Sequence, residues 1–180
     1  MTAKVSPGPA EDDSSYDNPG EHAEFTRTLY SHRSPLVLGL VGHLLSFGLI
    51  YTRVWDTVFL VAGAILVLVL WARLADMKRF DRACQATMSL GQSRMWERRY
   101  IAGGAAAATT LGLTCGYSVY AVPDPFASFA AVGITMTSLL SVVGRNFGSP
   151  ANINVMTAAT CIPIMAAMLA SFDPYMMAMG

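Results

Sequence analysis

The sequence predicts an all-α fold, an integral membrane helical bundle with five complete spans and the start of a sixth. First, 53% of the residues are apolar or aromatic and only 13% are charged, whereas soluble domains average about 25% charged residues. Second, after Tyr100 the formal charges are those of Asp124, Arg145 and Asp173 alone. A helix needs about 20 apolar residues to cross the hydrocarbon layer of a bilayer, so each of these charges falls where a spanning helix should turn back.

Residues 1–34 are predicted to be a disordered cytoplasmic tail. The segment holds three prolines and six acids, and such a composition buries too little apolar area to offset the entropy lost on ordering. No apolar stretch typical of a signal peptide follows the first basic residue.

The spans follow from the apolar stretches. Residues 35–72 are predicted to form a transmembrane hairpin of two spans, 35–51 and 57–72. Residues 100–180 are predicted to hold three more spans, 100–120, 126–144 and 151–172, and the start of the sixth at 174 or 175. Trp55 and Trp71 lie at opposite ends of the second span, which is typical of interfacial anchors.

Residues 73–99 are predicted to be a cytoplasmic, basic, amphipathic linker. Seven basic residues lie here, and one helical face carries apolar side chains, Leu74, Met77, Cys84, Met88 and Met95. The segment is either an amphipathic helix on the membrane surface or a solvated linker whose charges obey the positive-inside rule, and the second interpretation is favoured. Gly91 would break any single continuous helix through this segment.

The Lys and Arg distribution predicts that the N-terminus is cytoplasmic. With that orientation, ten basic residues lie near the membrane on the inner side and Arg53 alone lies on the outer side. The lipid bilayer is the expected partner. The formal net charge of zero argues against nucleic acid, since phosphate binding uses an excess of Lys and Arg.

His43 lies about midway along the first predicted span. An ionisable side chain at that depth suggests a function such as proton sensing or metal or haem binding. However, no other predicted span contains a histidine that could share a metal. The favoured interpretation is a neutral histidine that hydrogen-bonds to a neighbouring helix.

Gly112 and Gly116 form a GxxxG pattern in the third predicted span. Small residues at this spacing let helix backbones approach closely. The pattern fits either a dimer interface or packing within the bundle, and one sequence does not separate the two.

The segment 144–152 interrupts the apolar run with polar residues and helix breakers. Ser149 is placed to cap the next helix, with Pro150 in its first turn, so a tight hairpin that includes Asn146 and Gly148 is favoured. The alternative is a sensing site in which Arg145 and the helix N-terminus hold an anion. Pro163 should kink the helix that follows.

No catalytic motif is present. The sequence lacks a phosphate-binding GxxxxGK[ST] loop, HExxH, GxSxG and metal-ligand Cys/His spacing. We therefore expect no catalytic residue, cofactor or metal ion in this chain.

Two stretches carry a resemblance to a known family. The first is 94–100, R-M-W-E-R-R-Y, followed by a Gly/Ala-rich helix start, and the second is 144–150, G-R-N-F-G-S-P, followed by an apolar helix with Pro163. Together they resemble the N-terminal multi-pass membrane region of bacterial membrane-bound diguanylate cyclases, some of which also carry an EAL phosphodiesterase domain. The resemblance covers about residues 70–180, and the first two spans match by hydropathy only.

The resemblance implies a location in the bacterial inner membrane and a cytoplasmic GGDEF domain beyond this fragment. Such a domain joins two GTP molecules, with Mg, into cyclic di-GMP and works as a homodimer. This chain contains no GGDEF or GGEEF sequence, so no catalytic residue is carried over. The expected function is a non-catalytic sensor or anchor region in signal transduction. The alternatives are a small multi-pass transporter or channel subunit, and a membrane anchor without a ligand.

Overall fold

The computed structural model describes residues 19–31, 33–83, 88–145 and 149–171, and these residues form six helices. The described part of the chain contains no strand, as predicted for an all-α fold. The helices are α1 (Pro19–Ser31), α2 (Ser34–Val54), α3 (Val58–Ala83), α4 (Leu90–Ala121), α5 (Pro125–Arg145) and α6 (Pro150–Ala170).

Four helices, α2, α3, α5 and α6, are long and apolar enough to cross a membrane. They expose large apolar side chains, among them Leu38, Leu68, Phe129 and Leu140, each at least 65% exposed. Exposing so large an apolar surface to water is unfavourable, whereas contact of this surface with lipid is favourable. The chain is a membrane protein.

By this measure of length and hydropathy the described residues hold four helices able to cross a membrane, one fewer than the five complete spans predicted. The third predicted span, 100–120, lies within the 32-residue helix α4, which is not among the four apolar helices. Glycine, alanine and threonine replace the leucines and isoleucines of the other spans here, because α4 faces other helices on most sides. The predicted start of a sixth span, 174–180, lies outside the described residues.

Helix α4 lies at the centre of the fold and contacts α1, α3, α5 and α6. Helix α2 packs on α3 and α5, so α2 to α5 form a four-helix bundle in which each helix contacts two others. The α2–α3 and α4–α5 turns lie at one end of this bundle, here called the turn end. Helix α1 lies at the other, here called the α1 end.

Helices α4 and α6 run parallel and make the most extensive contact in the fold. A Cβ built on Gly112 would lie 2.5 Å from the backbone oxygen of Thr160, and one built on Gly116 would lie 3.0 Å from that of Pro163. The structure therefore places both GxxxG glycines against α6 of the same chain. The absence of a Cβ is what permits this approach.

Pro163 has a structural consequence at the same contact. A proline has no backbone N–H and leaves the carbonyl four residues earlier, that of Ala159, without its helical donor. The built Cβ of Gly112 lies 3.1 Å from this carbonyl oxygen, so a Cα hydrogen of Gly112 points towards it. Such Cα–H···O contacts are common where helices cross closely.

The turn end is fixed by polar contacts above an apolar core. Asp56 caps α3 through the backbone N–H of Val58 (3.0 Å) and accepts a 2.7 Å hydrogen bond from the Tyr117 hydroxyl, which lowers the pKa of Asp56. Arg53 donates to Asp124 at 2.8 Å and lowers the pKa of that carboxyl. The predicted turn residue Asp124 is therefore also an ion-pair partner. The core beneath contains Phe47, Ile50, Phe59, Ala62, Leu66, Leu111, Val122, Ala127 and Ala131.

The prediction of a disordered tail over 1–34 is wrong for residues 19–31, which form α1, while 1–18 lie outside the described residues. Tyr30 is the anchor of this helix. Its ring stacks on Phe80 at 4.2 Å and meets Trp96 edge-on at 5.9 Å. Its hydroxyl donates a 2.9 Å hydrogen bond to the Trp96 carbonyl. The sequence of α1 is mostly polar, and the few apolar side chains of this helix pack on residues that lie far along the chain.

Residues 73–99 are likewise not a separate surface helix or a solvated linker where they are described. Helix α3 continues to Ala83, and α4 starts at Leu90 with Ser89 and Gln92 as a capping box. Gly91 does not break α4 because it lies in the first turn. Met77 and Met88 of the predicted apolar face are buried rather than in lipid. They belong to the α1 cluster, which also contains Ala23, Leu29, Tyr30, Phe80, Trp96 and Tyr100. Met95 is 44% exposed and Cys84 is not described.

The α4–α6 contact predicts the cost of adding one methyl group. Gly112→Ala would place a Cβ against the α6 backbone, which cannot move as a side chain can, so we expect a loss of about 1–3 kcal/mol in the free energy of unfolding. Gly133→Ala is the matched control, because nothing lies within 4 Å of its added Cβ. Denaturant titration of the purified protein in detergent measures both, and equal stability of the two variants would contradict the prediction.

The attachment of α1 should fail at alkaline pH. Burial, and then the nearby carboxylate of Asp76, raise the pKa of Tyr30. Because the folded pKa is raised, this contribution to stability is complete below the ordinary tyrosine pKa of about 10, starts to fall as the pH rises above it and is lost fully once the pH passes the raised folded pKa.

Tyr30→Phe tests this expectation. It should cost about 1 kcal/mol at neutral pH, from the lost hydrogen bond, and should abolish the part of the alkaline transition that Tyr30 causes. Trypsin cleavage at Arg27 and Arg33, followed between pH 8 and 11, reports the release of α1. An unchanged alkaline transition in the variant would contradict the assignment.

Candidate functional site

A cavity of about 410 Å³ lies in the α2–α5 bundle towards the α1 end, and α6 also contributes to its wall. We call it the central cavity. The apolar core of the turn end stops at this cavity, where its members Leu66 and Leu111 form part of the wall, so the bundle is closed at one end and hollow at the other. Most of the lining is apolar, and polar groups occur at a few places, namely His43, Arg73, Thr135, Thr137, Ser138, Ser141 and Thr160.

Small residues create the space. Gly39 and Gly42 line the cavity from α2, and nothing lies within 4 Å of a Cβ built on either. On α4 the cavity wall consists of Gly104, Ala107, Ala108 and Leu111, so three of its four residues are small. A volume of this size falls within the range of ordinary small-molecule sites, about 300–1,000 Å³.

His43 links α2 to α5 at the deeper part of the central cavity. Its Nδ1 contacts the backbone oxygen of Gly39, one turn earlier, and its Nε2 lies 2.6 Å from the Oγ of Ser138. The structure thus places His43 in the arrangement of the favoured interpretation, a histidine hydrogen-bonded to a neighbouring helix.

The hydrogen bonds around His43 accommodate two protonation states. Nδ1 must carry a hydrogen, because a backbone carbonyl only accepts. In the neutral ring Nε2 then accepts from the Ser138 hydroxyl. That hydroxyl also lies 2.7 Å from the carbonyl of Ile134. In the charged ring Nε2 would donate to Ser138, whose own hydrogen would turn to Ile134.

Arg73 is the cation of the site. It lines the central cavity and also a second cavity of about 420 Å³ under α1, whose wall includes Tyr30, Asp76 and Arg99. Its guanidinium stacks over the ring of Tyr100, with Cζ 4.7 Å from the centroid. A Cβ on Gly103 would lie 2.9 Å from the Arg73 Cγ, so the glycine makes room for the arginine side chain.

The two stretches that carry the family resemblance meet in space. Ser149 caps α6 as predicted, with the backbone N–H of Asn152 donating to its hydroxyl at 3.3 Å and Pro150 in the first turn. The same hydroxyl donates to the Glu97 carboxylate at 3.3 Å. Asn146, Gly148 and the side chain of Arg145 lie outside the described residues, so the anion-site hypothesis stays a prediction.

Sequence reasoning identified His43 but missed both Ser138 and Arg73. Ser138 is one of many hydroxyl residues in the apolar helices, and only the packing of α5 on α2 distinguishes it. In the sequence, Arg73 is one of seven basic residues in 73–99 and is not distinguished by its charge. The available signal was its place directly after an apolar run, where an arginine must either reach solvent or find protein partners.

The described residues contain no group of three His, Cys, Asp or Glu that could hold a metal ion. Comparison with family models, with curated proteins and with solved structures finds no match to this chain. The site itself defines a class: a helical membrane protein with an internal, partly polar cavity.

The His43–Ser138 contact predicts an energetic coupling between α2 and α5. We expect His43→Ala and Ser138→Ala each to lower the free energy of unfolding in detergent, with a coupling energy of about 1 kcal/mol, in the range of interhelical hydrogen bonds in membranes. Thr137→Ala is the control, because the Thr137 hydroxyl donates to Gly133 within its own helix. Additive losses for His43 and Ser138 would mean that the contact contributes nothing.

Proposed function

We propose that this chain is a non-catalytic sensor or anchor region that regulates a cytoplasmic output domain, a diguanylate cyclase. The observation that carries the proposal is a cavity inside a membrane bundle, with continuous helices leading from its wall to the α1 end. The cyclase assignment is supported by the sequence resemblance of 94–100 and 144–150, two stretches that the Glu97–Ser149 contact joins in space.

The α1 end is taken to be cytoplasmic, with the bundle in a bacterial inner membrane. Basic residues near the described bundle concentrate at this end, whereas Arg53 lies at the turn end and pairs with Asp124. Helix α4 is proposed as a fifth crossing, because its residues 103–121 run beside α3, α5 and α6 from the Arg73 level to the turn end.

Two helices connect the wall of the central cavity directly to α1, so a stimulus that binds in the cavity would be transmitted to the α1 end. Helices α3 and α4 are unbroken from the cavity wall to the α1 cluster, where Tyr30 packs on Phe80 and Trp96. Thr26 and Ser93, both fully buried, also share a 2.6 Å hydrogen bond between α1 and α4. A shift of one helix would therefore move α1. In a homodimer, such a movement would change how closely two cyclase domains approach.

A transporter or channel subunit has less support. Transport needs a polar route across the whole bundle, and Phe47, Ile50 and Phe59, all at most 3% exposed, fill the turn end. A membrane anchor without ligand or regulation is the simpler alternative. The Tyr30→Ala experiment below distinguishes such an anchor from a regulatory region.

The test uses the full-length protein expressed in a bacterium, with intracellular cyclic di-GMP as the readout. Tyr30→Ala removes the anchor of α1, at a cost of about 3–5 kcal/mol to this local packing, and we expect at least a threefold change in cyclic di-GMP at equal protein level in the membrane. Thr28→Ala is the matched control, since Thr28 is exposed on the same helix and its hydroxyl donates within that helix. No cyclic di-GMP from any form would overturn the cyclase assignment, and product that is insensitive to Tyr30→Ala would leave an anchor.

A further inference from the structure

We propose that the central cavity binds a single-chain amphiphile with an anionic head group, the head at Arg73 and the chain running along α2 towards His43. The inference deepens the proposed sensor function and rests on it, because it names the chemical class of the stimulus. It is carried by the shape of the cavity and by the placement of its polar groups.

The lining favours an apolar body. Leu36, Leu40, Leu66, Leu111 and Ile134 surround the space, and the few polar groups are scattered along it, which disfavours a sugar or nucleotide with polar groups on every side. The cavity extends on α2 from Pro35 to His43, a rise of about 12 Å in a helix. This length and a volume of about 410 Å³ suit one flexible chain.

The charge favours an anion. Among the described residues that line the cavity, Arg73 is the one cation and none is an acid. Asp76 of the α1 end does not line this cavity; it lines the neighbouring one, together with Arg73 and Arg99, and pairs with Arg99 at 3.3 Å. A guanidinium binds carboxylate and phosphate oxygens through charge-assisted hydrogen bonds.

The position of the opening indicates entry from lipid. Leu38 of α2 and Thr137 and Ser141 of α5 line the cavity and are exposed on the bundle surface, so the cavity opens sideways between these two helices. A water-soluble ligand would have to leave water to reach this opening. A helix with its side chains is about 10–12 Å across, and even two turns of such a helix exceed a volume of about 410 Å³, so a helix of a second copy is not the occupant.

The probe is radiolabelled dodecanoate, measured as saturable binding to the full chain purified in detergent. Gly42→Leu fills the cavity from α2 and should weaken binding by at least about ten-fold. Gly48→Leu is the matched control, because Gly48 lies in the same helix with nothing within 4 Å of an added Cβ but does not line the cavity. Both variants exchange a helical glycine for a better helix former, so a difference between them reports the cavity.

The head-group part has its own test. Arg73→Gln should weaken dodecanoate binding by about ten-fold or more and leave binding of dodecan-1-ol, used as a competitor, unchanged. Competition by dodecyl phosphate against dodecanoate then tells which anionic head is preferred. Gly103→Val should act like Arg73→Gln, since the added side chain would displace the arginine.

Equal binding by the Gly42→Leu and Gly48→Leu variants, or an Arg73→Gln effect that is the same for dodecanol, would overturn the inference. A disulfide-linked dimer formed by Gly42→Cys would place a second copy at the opening and would also overturn it. These binding measurements do not depend on any output domain. Failure here with an intact cyclic di-GMP response would reject the ligand class alone, and binding without that response would reject the proposed function alone.

Discussion

The contact between α4 and α6 is the constraint on which the fold depends. Lipid provides no hydrophobic force between apolar helices, so close backbone approach and polar contacts must hold them together. Glycines at 104, 112 and 116 give α4 a flat face, and Met156, Thr160 and Pro163 of α6 occupy it. With this face covered, the opposite side of α4 is left to α3 and α5, and the four-helix bundle follows.

The central cavity is a consequence of how that bundle is filled. Aromatic and branched side chains occupy the turn end, where Phe59 and Ile50 are fully buried. Nearer the α1 end, glycines and hydroxyl residues occupy the inward-facing positions of the helices. The polar contacts of the two ends differ as well: exposed ion pairs and caps at the turn end contribute little each, whereas Arg73 and His43 lie partly buried among apolar walls. The chemistry of the molecule is therefore concentrated in one half of the bundle.

Much of this architecture could be predicted from sequence, because apolar length and lone charges fix where helices must turn in a membrane. The cap of α6 by Ser149 and the depth of His43 were also visible locally. Helix α1 could not be predicted in this way, since it has few apolar residues, such as Leu29 and Tyr30, and their partners come from residues 77–100. The hydrogen-bond partner of His43 and the cavity depend on which helices become neighbours, and a single sequence carries no information on that choice. The exclusion of α4 from the four apolar helices has the same origin, because its small residues suit protein contacts rather than lipid.

The composition of α4 also has a consequence for biogenesis. A segment rich in glycine, alanine and threonine gains little from transfer into lipid, and the arginines just before it add to the cost of misplacement. Its principal partner, α6, is synthesised later. With α4 as the proposed fifth crossing, its stable insertion should therefore depend on sequences that leave the ribosome after it, and truncation before α6 should make it the helix most readily lost to quality-control proteases.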